Sequence, residues 1–181
     1  MTENLEQIFE LESAEKYNEA YHLYKKQISE INSDFQTWKY YFFFLWSMLE
    51  DVNGMFTEEI DLRTELEKEL KNGMEKYAEL ADFNFIAGYA ISIFPYEFGD
   101  YVDMEMKGNE MIEKAYKAEP ANPIYEMVYL GSSIKDNNDQ TLYKKACAKS
   151  QLLLKKEFTG KGLLNEYFNQ VFNRDEKKAS W

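Results

Sequence analysis

The segment that decides the fold is residues 34–49, where the sequence is DFQTWKYYFFFLWSML. If this segment is helical, apolar residues cover nearly the whole circumference of the helix. A buried strand is the alternative structure for so apolar a run. A helix is favoured because Asp34 is a good N-cap, Asn53-Gly54 follows as a terminator, and about 16 residues are long for a strand. We therefore predict a central helix whose core residues are Trp38, Phe42, Leu45 and Leu49.

The 3.6-residue periodicity extends to both sides of this segment. Toward the N-terminus, Ser13 precedes one helical stripe made of Tyr17, Ala20, Tyr24, Ile28 and Ile31. Toward the C-terminus, Thr57 is expected to open a long helix that runs to Tyr77. Shorter helices are expected over 85–94, 102–116, 123–131, 142–156 and 163–172. The helix over 102–116 is expected to turn four residues inward: Val102, Met106, Ile112 and Tyr116.

Helix-breaking residues separate these segments. Pro95 and Pro120 end two of them, Asn137-Asn138-Asp139 predicts a turn, and Gly160 and Gly162 predict a further break. No linker rich in Pro, Gly or Ser divides the chain. We therefore predict an all-α fold of about nine helices arranged in short antiparallel pairs. A single helical domain is expected over residues 1–181, with residues 174–181 as a loose tail.

Composition excludes several classes of protein. The chain has 181 residues, of which 45% are hydrophobic and 30% charged, as in a folded domain. The net charge of −12 argues against nucleic acid as a partner. One cysteine and one histidine are too few for a disulfide framework, a multi-thiolate zinc site or most histidine metal sites. The acidic start and the lack of about 20 successive apolar residues predict a cytoplasmic protein with no membrane segment.

Motifs that could carry chemistry are few. Glu19 and His22 have the Glu-x-x-His spacing of di-iron bundles, but that site needs a second such motif, so a solvated helix face is favoured. Cys147 is the only cysteine and is predicted to be a small packing residue. We expect no enzyme activity, no catalytic residues, no metal and no cofactor. The alternative is an enzyme that uses a carboxylate pair, since 33 acidic residues are present.

The acid excess is densest over residues 50–126, which hold 19 acidic and 7 basic residues. Glu97, Asp100 and Glu105 there have no cation four residues further on, so their field would attract a basic partner. Aromatic residues that we place outside the core lie among these acids, and an ordinary helix–helix corner is the alternative. The predicted partner-binding residues are Tyr96, Glu97, Phe98, Asp100, Tyr101, Asp103 and Glu105.

Scattered residues resemble the tetratricopeptide repeat, which has a period of about 34 residues. They are Tyr17, Ala20 and Tyr24, then Trp38, then Gly108, Ile112, Ala115 and Pro120, and finally Met127, Leu130 and Gly131. The chain departs from the repeat pattern at Gln27, Asn32 and Phe42. The resemblance implies stacked helix pairs and a protein-binding role, and an irregular helical bundle is the alternative.

In general character the chain is similar to the immunity proteins of bacterial toxin systems, because it is small, acidic and poor in catalytic residues. This similarity implies that it binds and neutralises a basic toxin of the nuclease type. The alternative is a tetratricopeptide-like adaptor or scaffold for protein complexes. A groove lined by Asn, Lys and Tyr, suited to an extended peptide, would favour the adaptor. The oligomeric state is left open.

Overall fold

The computed structural model describes residues 3–29, 34–50, 54–132 and 137–174. Within these ranges the chain forms nine α-helices, one short 3₁₀ helix and no strand. The helices are α1 (Glu3–Ser13), α2 (Tyr17–Ile28), α3 (Phe35–Leu49), α4 (Leu62–Tyr77), α5 (Ala81–Ile93), α6 (Tyr101–Ala118), α7 (Pro123–Ser132), α8 (Asn137–Glu157) and α9 (Leu163–Phe172), and the 3₁₀ helix is Pro95–Glu97. The all-α prediction is confirmed, and neighbouring helices pack against one another.

The helices fall into two compact units. Of the described residues, the first contains those up to 78 and 160–166, and the second contains those over 79–159 and 167–174. The expectation of a single domain stays a prediction, because this grouping does not show whether either unit folds alone. Of the tail expected over 174–181, Arg174 follows α9 as a non-helical residue, and residues 175–181 lie outside the described ranges.

The aromatic helix α3 lies at the centre of the first unit, where α2 and α4 pack against it. The predicted N-cap is confirmed, since the Asp34 side chain accepts a hydrogen bond from the Thr37 N–H at 2.8 Å. Trp38, Phe42 and Leu45 are buried as predicted, whereas Leu49 is only half-buried. Leu49 ends the helix, and its place in the last turn leaves it partly open to solvent.

Three boundaries differ from the sequence-based expectations. Helix α4 begins at Leu62 rather than Thr57, because the Asp61 side chain caps it by accepting from the Thr64 N–H at 3.1 Å. Thr57 instead lies in the non-helical stretch before α4, where it is hydrogen-bonded to the Asn18 side chain of α2. The turn expected at 137–139 is wrong, since α8 begins at Asn137. Helix α1 was not predicted and ends at Ser13, and the helix expected after Ser13 is α2.

Helices α5 and α6 approach each other closely within the second unit. A Cβ at Gly108 would lie 2.8 Å from the Ser92 backbone nitrogen, and one at Gly88 would lie 2.8 Å from the Met111 Cβ. Only glycine at these two positions lets the helices approach so closely. Side chains larger than hydrogen would force the two helix axes apart.

A buried carboxyl joins α1 to the start of α9 in the first unit. Glu12 is 4% exposed, and it accepts hydrogen bonds from the Tyr24 hydroxyl at 2.8 Å and from the Leu163 N–H at 2.9 Å. Burial raises the pKa of Glu12 to about 7, although both hydrogen bonds act in the opposite direction. The unfolded chain ionises this group near pH 4.5. Between these values the folded state retains a proton that the unfolded state has lost.

The free energy of unfolding should therefore fall as the pH rises through this window. From pH 5 to pH 8 the ionisation of Glu12 should cost about 2 kcal/mol. Glu12→Gln keeps a neutral side chain of the same shape and should remove most of this loss. Urea denaturation of both proteins at the two pH values measures the difference, and Glu10→Gln is the exposed control. Parallel pH dependences for Glu12→Gln and the unaltered protein would contradict the assignment.

Candidate functional site

The predicted partner-binding residues lie where α5 gives way to α6 in the second unit. The chain turns through the 3₁₀ helix and through Gly99, whose φ of +145° favours glycine. Asp100 then caps α6, accepting hydrogen bonds from the N–H groups of Val102 at 3.0 Å and Asp103 at 3.3 Å. This local geometry presents five of the predicted residues to solvent: Tyr96, Asp100, Tyr101, Asp103 and Glu105.

Two of the predicted residues are not exposed. Phe98 is 7% exposed, and so is Glu97. Placing Phe98 outside the core is therefore wrong. The turn folds back on itself through hydrogen bonds from the Phe98 N–H to the Pro95 carbonyl and from the Glu97 N–H to the Phe94 carbonyl. Neither side chain offers much area to a partner.

Three apolar residues beside the predicted site were missed. Val102 is 59% exposed and Met106 is 58% exposed, so the expectation that they face inward is wrong; Ile93 at the end of α5 is exposed as well. On α6 the buried residues Gly108 and Ala115 occupy a different face from Val102 and Met106. If Gly108 and Ala115 are taken to mark the buried face of α6, the helical period places Val102 and Met106 on the exposed face. The sequence therefore contained the signal for their exposure.

The exposed apolar residues are concentrated in this region. The described part of the chain has ten large hydrophobic side chains that are exposed, and five of them fall within residues 93–106. We call this region the α6 surface, and its members are Ile93, Tyr96, Asp100, Tyr101, Val102, Asp103, Glu105 and Met106. The exposed residues within 93–106 thus include aromatic, aliphatic and acidic side chains.

A pocket of about 320 Å³ adjoins the α6 surface, and we call it the aromatic pocket. Ile93 and Glu105 belong to both features. Helix α6 contributes Glu105, Asn109 and Ile112 at helical spacing, and the other lining residues come from α5, α7, α8 and the end of α9. They are Tyr89, Ser92, Ile93, Met127, Val128, Gly131, Ser132, Tyr143, Phe172 and Arg174.

A smaller pocket of about 180 Å³ lies in the first unit, and we call it the lysine pocket. Its polar lining includes three lysines in an otherwise acidic chain. The residues are Lys25, Ile28, Ser29, Trp38, Lys68, Glu69, Asn72, Lys76 and Tyr77. The Lys25 ammonium pairs with Glu65, and Asn72 donates to the Glu69 carboxylate at 3.3 Å. Burial raises the pKa of the Glu69 carboxyl.

The residues examined for catalysis or metal binding occupy ordinary structural positions. Glu19 and His22 are exposed, as predicted, and the His22 Nε2 lies 3.1 Å from a Glu58 carboxylate oxygen. Cys147 is fully buried, as a packing residue should be. Across the described ranges, no three His, Cys, Asp or Glu side chains are grouped so that they could hold a metal ion. Those ranges also contain no helix long and apolar enough to cross a membrane.

Comparison with known proteins does not assign the chain to a family. No family model, no curated protein and no solved structure matches it. The tetratricopeptide-like and immunity-like interpretations therefore depend on the residues of this chain alone.

Proposed function

We propose that this protein is a non-catalytic binding module of the cytoplasm that engages a basic protein through the α6 surface. An immunity protein that neutralises a basic toxin of the nuclease type is the function we favour. The observation that carries the proposal is the concentration of exposed apolar side chains among acids within residues 93–106. Exposed apolar side chains gathered in one region among polar ones are typical of protein-interaction sites.

The two kinds of side chain on the α6 surface have different roles. Tyr101 and Met106 can be buried by a partner, and burial of such anchors supplies most of the affinity of an interface. The exposed carboxylates attract a cationic partner and accelerate the encounter, but each contributes little affinity. A nuclease needs lysine and arginine side chains to hold the phosphates of its nucleic acid. An acidic inhibitor can therefore cover that basic surface.

The first test identifies the partner. Protein from the source cell is captured on the unaltered chain and on a variant with Tyr101→Ala and Met106→Ala, and both captures are read by mass spectrometry. The supporting result is a basic protein that only the unaltered chain retains and whose nuclease activity the unaltered chain inhibits. Retention by both proteins, or a captured protein that is acidic, would place the binding site elsewhere.

Neutralising the acids should slow association. Asp100→Lys would confuse the result, because Asp100 caps α6 and losing a cap costs about 1 kcal/mol. The better variant combines Asp100→Asn, Asp103→Asn and Glu105→Gln, since Asn can still cap the helix. We expect its association rate constant to fall about tenfold at low salt and to lose most of its salt dependence. Stopped-flow measurements at several salt concentrations test this, and a rate indifferent to both changes would contradict electrostatic steering.

Removing an anchor should act on dissociation instead. Tyr101 is 52% exposed, so Tyr101→Ala should leave the fold intact while removing a large contact area. A loss of about 2 kcal/mol of binding energy is expected, which corresponds to about thirtyfold faster dissociation. Leu152→Ala on α8 is the matched control, because Leu152 is also exposed but lies outside the α6 surface. Equal dissociation rates for the two variants would show that Tyr101 is not an anchor.

The lysine pocket supports a second candidate, the tetratricopeptide-like adaptor. Its Asn72, Tyr77 and three lysines are the residue types expected for capture of an acidic peptide. At about 180 Å³ it can hold one carboxylate-bearing group rather than an extended peptide. A labelled acidic peptide with a free or an amidated C-terminus, titrated against the protein and against Lys76→Gln, tests this role. If neither amidation of the peptide nor Lys76→Gln alters the affinity, the adaptor role of the lysine pocket is excluded.

A further inference from the structure

We propose that the aromatic pocket binds an organic cation with an aromatic body: on a protein partner, an aromatic side chain next to a lysine or arginine. This inference rests on the proposed function, because it names the group with which the basic partner would anchor itself beside the α6 surface. It adds a defined binding site, with its own ligand chemistry, to a surface described so far only by exposure and charge.

The walls of the pocket favour an aromatic guest. Tyr89, Tyr143 and Phe172 bring three aromatic rings to the lining, each residue at most 6% exposed, and Ile112 and Met127 are the other buried residues of the lining. Aromatic rings pack favourably edge-to-face or offset against one another, beyond the area that they bury. The volume of about 320 Å³ exceeds that of a single aromatic side chain, so the pocket is large enough for such a guest.

Ser92, Ser132 and Tyr143 of the walls already engage their hydroxyl groups within the protein. The Ser92 hydroxyl donates to the Tyr89 carbonyl at 2.9 Å, and the Ser132 hydroxyl donates to the Tyr129 carbonyl at 2.8 Å. The Tyr143 hydroxyl accepts a hydrogen bond from the Arg174 guanidinium at 2.8 Å. A guest with many polar groups would therefore exchange water for few new hydrogen bonds, which favours an apolar body.

Charge fixes where the cation must lie. Glu105 and Arg174 are the acidic and the basic residue of the lining. The Arg174 side chain is held by the Tyr143 hydroxyl and by the Val171 carbonyl, to which its Nε–H donates at 2.9 Å. Glu105 is exposed at the rim, where the Tyr101 hydroxyl approaches it at 3.5 Å. A positive charge on the guest is favoured beside Glu105 and disfavoured beside Arg174.

Three small probes of the same aromatic body test this assignment on the isolated full-length protein. They are 2-phenylethylamine as the cation, 2-phenylethanol as the neutral analogue and 3-phenylpropanoate as the anion. Titrations are followed by NMR through the methyl group of Met127, which lines the pocket. We expect the amine to bind about fivefold more tightly than the alcohol, because an exposed ion pair contributes up to about 1 kcal/mol. The carboxylate should bind more weakly than either.

Variants assign the site and the charge. Glu105→Gln should reduce the affinity for the amine to that for the alcohol, whereas Asp103→Asn, which changes an exposed acid outside the pocket, should not. Asn109→Trp should fill the pocket and weaken all three probes. Ser132→Trp fills it from α7 and replaces Asn109→Trp if that variant does not fold.

Absence of binding, equal binding of the three probes or preference for the carboxylate would overturn the inference, as would full binding by a folded, filled variant. Those outcomes leave the proposed function standing if neutralising Asp100, Asp103 and Glu105 still slows association with a basic partner. If the probes bind as expected and that partner is not found, the pocket stands and the proposed function fails.

Discussion

Trp38→Ala should lower the free energy of unfolding by roughly 3–5 kcal/mol, a large part of the stability of a typical domain. Trp38 is 2% exposed, and its ring stacks on Phe42 with 4.9 Å between ring centroids. Its Nε1–H donates to the Glu69 carbonyl at 2.9 Å and so ties α3 to α4. The substitution removes both the ring and the bond, and neighbours held in other contacts cannot fill the space.

Trp38→Phe separates the two contributions. It retains an aromatic ring but cannot donate to the Glu69 carbonyl, so a smaller loss of about 1–3 kcal/mol is expected. Chemical denaturation of both variants gives the two values, and Leu152→Ala should stay within about 0.5 kcal/mol of the unaltered protein. A midpoint unchanged by Trp38→Ala would mean that α3 is not the centre of the first unit.

The sequence predicted α3 well because its evidence was local. The Asp34 side chain accepts from the Thr37 N–H in the first turn of the helix, and an apolar run of this length has few alternatives to burial. The start of α4 was placed too early for an equally local reason. Glu58 and Glu59 resemble the acidic first turn of a helix, but Asp61 accepts from the N–H of Thr64 and sets the true N-terminus. Two acceptable starts compete, and side-chain geometry chooses between them.

The candidate site was predicted only in part, because exposure depends on packing between helices. Tyr101 and Glu105 were placed correctly on the surface, since Asp100 fixes where α6 begins. Phe98 was placed wrongly, because it follows a turn of 3₁₀ helix whose backbone folds back on itself, and its side chain is only 7% exposed. The aromatic pocket was not predicted at all. Its lining comes from five successive helices, α5 to α9, and no pattern within a single helix predicts how they come together.

Gly108→Leu should cost about 3 kcal/mol or more, because the new side chain meets backbone rather than movable side chains. The Cβ would lie 2.8 Å from the Ser92 nitrogen and 3.0 Å from the Gly88 carbonyl oxygen. Leucine is a good helix former, so a loss of stability cannot be attributed to the intrinsic preference of α6. Relief requires α5 and α6 to move apart, and that movement exposes the apolar residues between them.

Gly131→Leu is the matched control within the same unit. Gly131 is also helical, but its Cβ would meet the edge of the Tyr143 ring at 3.1 Å, and a ring can shift where a backbone cannot. We expect a distinctly smaller loss there, measured as the difference in urea midpoint between the two variants. Gly108→Leu should also weaken binding of the basic partner, because α5 and α6 carry the exposed residues Ile93, Val102 and Met106. Equal midpoints for the two variants would show that the close approach of α5 and α6 is not what positions the α6 surface.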